Sequence, residues 1–196
     1  YLIAKQQYSA MIRLAKKITH KCIRLLLFPF RSQYIKRNGA IINSSGIEIP
    51  NNVLLGAVRD AIREGHTATI VVKGWSMRPF LEHLRDKVIL DAPGEVKEGE
   101  AVLAEISPDT FVLHRIIEIK SHGKDKELDE ITLMGDGNIR GTEQCLRKNI
   151  CGRVTHYIRP NRTIPANDPT LMRNIQRWKK LLPIRRYLLV IYKALI

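Results

Sequence analysis

Cysteine is scarce: Cys22, Cys145 and Cys151 are the three among 196 residues. An odd number of thiols at these spacings excludes a disulfide framework. There is no Cys-x-x-Cys pair, so a zinc site is not expected, and nothing in the sequence calls for another metal or cofactor. Aromatic residues make up 6% of the chain. Those set among basic residues are too few to form a stacking platform for single-stranded nucleic acid, so no specific nucleic-acid partner is expected. Long apolar runs are missing as well. The longest, residues 25–30, contains Pro29 and falls far short of a bilayer span, so no transmembrane helix is expected. Charges run through the whole first helical stretch and no small-residue cleavage site follows it, which argues against a cleavable secretory signal. No repeat or low-complexity segment occurs.

Acid is missing from both ends. Residues 1–47 hold nine Lys/Arg and no Asp/Glu, and residues 159–196 hold nine Lys/Arg and one acid, Asp168. The whole chain carries +14, so the middle is slightly acidic. The basic character therefore belongs to two terminal segments, which would be drawn to anionic surfaces. Apolar residues recur at helical spacing over 8–28 (Tyr8, Met11, Ile12, Ala15, Ile18, Cys22, Leu25, Leu26), with Lys and Arg on the other face. A similar stripe, Leu171, Ile175, Trp178 and Leu182, marks residues 170–182, and a short apolar stretch with basic ends follows Pro183. Such helices lie in a membrane interface or dock on a protein surface. Trp178, Tyr187 and Tyr192 suit a headgroup region. The expectation is peripheral contact with an anionic membrane through both tails, in an otherwise cytoplasmic protein.

Between the tails the pattern is mainly β. A helix is expected over about 53–63, capped by Asn51 or Asn52, burying Leu54, Leu55, Val58 and Ile62 and ending at Gly65. Short β-type runs follow at 67–73, 87–91, 101–106, 111–120, 131–134 and 149–158, separated by turn residues, and indicate a largely antiparallel domain. The segments are thus a basic helix and linker (1–48), a β domain (49–158) and a basic C-terminal tail that starts loosely (159–196).

The run at 67–73 leads into Gly74-Trp75-Ser76-Met77-Arg78-Pro79-Phe80. Pro79 cannot donate to a ladder, so the chain leaves the sheet there and Ser76 is expected at a strand end. A serine hydroxyl needs a base to become a nucleophile. Thirty-eight residues on, Phe111-Val112-Leu113-His114-Arg115-Ile116-Ile117 carries a histidine on a strand, and Leu133-Met134-Gly135-Asp136-Gly137-Asn138 follows. These three boxes, in this order, resemble those of the superfamily that joins signal peptidases to LexA-like self-cleaving repressors, over about residues 67–157. The histidine matches the Ser/His branch, the endoplasmic-reticulum and archaeal type. Val96 to Glu100 resembles a further segment of that family, with Glu100 standing where Asp is usual.

The resemblance implies a LexA/signal-peptidase-like antiparallel β domain and a serine endopeptidase acting on exported or membrane-delivered polypeptides. Ser76 would be the nucleophile and His114 the base. Asp136 is the first candidate to orient the imidazole. The acidic pair usual a few residues later is missing, and Glu143 is the alternative. The Ser76 N–H is the expected oxyanion donor. Gly74, Met77 and Pro79 are expected to line the oxyanion and substrate side of the turn. Arg115 is read as a structural charge partner. Two other readings stay open: a self-cleaving regulator, which by the resemblance would be cut at an Ala-Gly or Cys-Gly bond in the arm before the domain, where the arm offers only Gly39-Ala40, the reverse order, and an inactive adaptor of the same fold.

Overall fold

A computed structural model describes residues 50–195. The expected helix over 8–28 and the linker after it lie outside the described residues. The described part is mainly antiparallel β with helices before and after the sheet. Its elements are α1 (Asn51–Arg63), β1 (Ala68–Val71), β2 (Lys87–Asp91), β3 (Ala101–Ser107), β4 (Thr110–Lys120), β5 (Glu130–Met134), β6 (Glu143–Leu146), β7 (Ile150–Arg159), β8 (Arg162–Pro165), α2 (Pro169–Lys180) and α3 (Arg185–Leu195). Strand order is β1-β2-β7-β3-β4-β5-β6, with β8 added to β7.

Both faces of the sheet's centre are covered. Ala101 to Ala104 are all buried, and they alternate between two apolar clusters. Ala101 and Leu103 join a large cluster with β2, β7 and all three helices. Val102 and Ala104 join a smaller one with Ile116, Ile131, Leu133 and Ile150. This follows from strand geometry, in which neighbours on one strand point to opposite faces.

Several expectations need correction. Helix α1 begins at Asn51, and the residue before it is Pro50; neither Asn51 nor Asn52 caps it with its side chain. Val58 and Ile62 are buried, Leu55 is packed against the core, but Leu54 is exposed. Ile62 reaches β7 because Gly152 offers no Cβ; one built there would lie 2.7 Å from the Ile62 Cδ1. Strand β1 ends at Val71, so Ser76 is not at a strand end but inside the β1–β2 connection. The short, polar strand β6 lies where no strand was expected.

The C-terminal segment is not a loose tail. Strand β8 pairs with β7 over His156↔Pro165 to Arg159↔Arg162. Asp168, the one acid of the segment, caps α2 by accepting from the Leu171 N–H at 2.7 Å, and Pro169 takes the first helical position. Of the expected stripe, Leu171, Ile175 and Trp178 are buried in the larger cluster with Leu188 and Tyr192 of α3, whereas Leu182 lies beyond α2 and is exposed. Each such buried side chain contributes about 1.5–3 kcal/mol. Residue 158 is therefore no boundary in packing, and Trp178 and Tyr192 are core residues, not groups held for a headgroup region. Among the described residues no helix is long and apolar enough to cross a membrane.

At the far end of β5, Asp129 is buried and ties the hairpin together. It accepts from the His122 N–H (3.0 Å) and from Arg147 Nη2 (2.9 Å). The His122 bond, with Arg147 and Ser121 adding, holds its pKa below the ordinary 3.8. A carboxylate with a depressed folded pKa stabilises the fold above its unfolded pKa, and that contribution fades as pH falls through the folded value. Denaturant titrations should find Asp129→Asn less stable than wild type at pH 7, with the difference shrinking below about pH 4. A pH-independent difference would contradict this assignment.

Candidate functional site

The β1–β2 connection is closed at its base by Val72 N–H to Asp86 C=O (2.9 Å) and Leu84 N–H to Val72 C=O (2.8 Å). Three apolar side chains, Met77, Phe80 and Leu81, anchor it in the core at no more than 1% exposure. The chain between them coils into tight turns, with Arg78 N–H bonded to Trp75 C=O and Leu81 N–H to Met77 C=O. The Arg78–Pro79 peptide is cis. Ser76 sits on this platform, half-buried.

The third box is what it rests on. The Gly137 N–H donates to the Ser76 carbonyl at 2.6 Å. A Cβ on Gly135 would lie 2.5 Å from the Ser76 carbonyl oxygen and 3.0 Å from the Ser76 Cβ. One on Gly137 would lie 2.6 Å from the Trp75 carbonyl oxygen. Real side chains do not tolerate such distances, so both glycines are required by close backbone approach. They form a slot for the Trp75–Ser76 backbone.

Strand parity decides which side chains meet over this slot. In an antiparallel ladder, residues directly opposite each other share a face. Ile116 lies opposite Leu133, and Leu133 opposite Glu143. His114, two residues from Ile116, is on that same face, and so is the Gly135 position, two residues from Leu133. His114 is buried, and its Nδ1 lies 2.8 Å from Oε2 of Glu143, reaching diagonally across β5 past the end that Gly135 leaves bare. Glu143 keeps 27% of its side-chain exposure. Among the described residues neither His114 Nε2 nor the Ser76 hydroxyl makes a hydrogen bond, and the Ser76 N–H has no partner either.

Arg115 points the other way. It lies opposite Met134, and Asp136, two residues beyond Met134, keeps that side. Asp136 accepts both arms of the Arg115 fork, with Nε 2.8 Å from Oδ1, and Arg115 Nη1 donates to the Gly99 carbonyl at 2.7 Å. Both side chains are about 6% exposed. Burial alone would lower the Arg115 pKa; Asp136 and Tyr157 outweigh this and hold it above its ordinary value. Asp136 is thus committed to Arg115 and does not touch His114. The first candidate for orienting the imidazole is replaced by Glu143, whereas Arg115 is the structural charge partner expected.

Of the residues expected on the oxyanion and substrate side, Met77 and Pro79 have buried side chains, and Gly74 stays in the serine turn. Gly74, at φ +106°, donates its N–H to His83 Nδ1 at 2.8 Å, so that donor is already engaged. Sequence reading assigned His83 no role; here it braces the turn two residues before Ser76 and meets Trp75 edge-on at 5.3 Å. Burial pushes Cys145 and Cys151 up to about 11, so neither supplies a competing thiolate near neutral pH. Among the described residues no group of three or more His, Cys, Asp or Glu side chains is placed to hold a metal ion.

No protein-family model matches the sequence, and a search of curated proteins found no match.

The two carboxylates should separate cleanly on mutation. Asp136→Asn strands a buried guanidinium and should cost about 3–5 kcal/mol in a denaturant titration. Glu143→Gln, at a partly exposed position, should stay within about 1 kcal/mol of wild type. Equal costs for the two would refute the division of roles drawn from strand parity.

Proposed function

We propose that this chain is a serine hydrolase in which Ser76 is the nucleophile and His114 the general base. The observation that carries this is the His114–Glu143 bond. With Glu143 accepting from Nδ1, the imidazole is held in the tautomer whose Nε2 accepts a proton, and His114 lies on the face where the Ser76 backbone is seated. His114 takes the Ser76 proton as the hydroxyl attacks a carbonyl carbon. It returns the proton to the leaving group as the tetrahedral species collapses. The Ser76 N–H, unengaged among the described residues, is the donor available to the oxyanion.

Within that class the ordered boxes favour a signal-peptidase-like endopeptidase acting on exported or membrane-delivered polypeptides. Peripheral membrane contact fits the outward side of α3. Tyr187 and Val190 are 67% and 65% exposed there, beside Arg186, and no acid follows Asp168. Flotation with vesicles containing phosphatidylglycerol should show binding that falls at high salt and weakens in a Tyr187→Ser/Val190→Ser variant. Unchanged flotation of the variant would remove α3 from the contact.

One observation favours the second reading, an inactive adaptor: the Ser76 hydroxyl is not hydrogen-bonded to His114 among the described residues. Covalent labelling with a fluorophosphonate distinguishes the two. Wild type should be labelled at Ser76 and Ser76→Ala should not. His114→Ala and Glu143→Gln should each label about 10²- to 10⁴-fold more slowly. No labelling of folded wild type would favour the adaptor, and a wild-type rate in His114→Ala would exclude the assigned base.

A further inference from the structure

The C-terminal helices do more than cover the sheet: their polar contacts converge on the two loops that hold Ser76. Trp178 of α2 donates its Nε1–H to the Asp136 carbonyl at 2.7 Å. Arg185, the first residue of α3, donates from Nη1 to the Asn138 carbonyl at 2.9 Å and from Nη2 to the Trp178 carbonyl at 3.4 Å. Its guanidinium lies over the Trp178 ring, 5.5 Å from the centroid. On the other side, the Tyr192 hydroxyl donates toward Glu82 Oε2 at 3.3 Å, and Glu82 is the partner of Arg78 in the serine turn.

Arg185 is the telling member. It is 4% exposed, and among the described residues its Nε has no hydrogen-bond partner and no carboxylate pairs with it. Burial lowers its pKa; Asp136 opposes that shift and Arg115 adds to it. A buried charge without a carboxylate partner is costly, and an unbranched apolar side chain would cover Trp178 without that cost. What such a side chain lacks is a donor for the Asn138 carbonyl. That carbonyl belongs to the last residue of the turn 135–138, which the Asn138 N–H closes by donating to the Gly135 carbonyl at 3.0 Å, and whose Gly137 N–H holds the Ser76 carbonyl.

We propose that Arg185 is a positioning residue for the Ser76 centre: through the Asn138 carbonyl it sets the Gly135–Asn138 turn, and through that turn the place of the Ser76 backbone relative to His114. Trp178 acts alongside it through the Asp136 carbonyl. The C-terminal helix pair is on this account a part of the hydrolytic apparatus. The inference rests on the serine-hydrolase reading for its effect on rate, but its structural step does not.

The test uses the full chain with Arg185→Met and, as a variant that keeps the aromatic packing, Trp178→Phe. Three quantities are read: thermal stability, the fluorophosphonate labelling rate at saturating probe, and hydrogen exchange at the Gly137 amide. Arg185→Met should melt near wild type, label about 10- to 100-fold more slowly with little change in half-saturating probe concentration, and lose protection at Gly137. Trp178→Phe should label about 3- to 10-fold more slowly. Wild-type labelling and wild-type Gly137 protection in a folded Arg185→Met would overturn the proposal. If that variant does not fold, the same two wild-type results in Trp178→Phe would overturn it. If wild type itself is not labelled at Ser76, the hydrolase reading fails separately. Gly137 exchange then still decides whether Arg185 sets the turn.

Discussion

The arrangement depends on one close approach of two backbones. The Trp75–Ser76 peptide lies in a slot that exists only because residues 135 and 137 have no side chains. Without it, the connection between β1 and β2 would be an excursion with buried anchors and no fixed serine. With it, a loop defined by Met77, Phe80 and Leu81 on one side is pinned by a 2.6 Å bond on the other. On the proposed reading, fixing that backbone between a packed core and a strand end would lower the reorganisation required when a substrate arrives.

Around that contact, two adjacent residues of one strand take opposite tasks. His114 and Arg115 are neighbours in sequence and point to opposite faces of β4. The chain thereby places the imidazole on the side of the serine and the guanidinium on the side of the larger core, both buried. Asp136 and Glu143 divide in the same way, by their parity on β5 and β6. A one-residue slip of β6 against β5 would turn Glu143 away from His114, so the register of a four-residue strand bears directly on the site.

Much of this was legible in the residues. The antiparallel character, six of the strands to within a residue or two, most of the α2 stripe and the order of the three boxes are local patterns that read without knowing what packs on what. The choice of orienting carboxylate was not legible in that way. Asp136 stood in the expected box and Glu143 in a short polar stretch without an evident β pattern. That stretch is a strand because β5 offers it an edge, not because its own residues favour one. The fate of the C-terminal segment was hidden for a similar reason. A basic amphipathic helix looks alike whether its apolar stripe meets lipid or a sheet.

What the sequence determined by itself was the inventory: two basic ends around a mildly acidic β middle, a serine on a turn, a histidine on a strand, and glycines flanking an aspartate. Tertiary structure alone decided the pairing. It gave Asp136 to Arg115 and Glu143 to His114, made Gly135 and Gly137 a seat for Ser76, and turned Trp178 and Tyr192 inward. The physical reason is that local pattern is carried by periods of two and 3.6 residues, whereas partners across a sheet are chosen by register and by which faces remain to be buried.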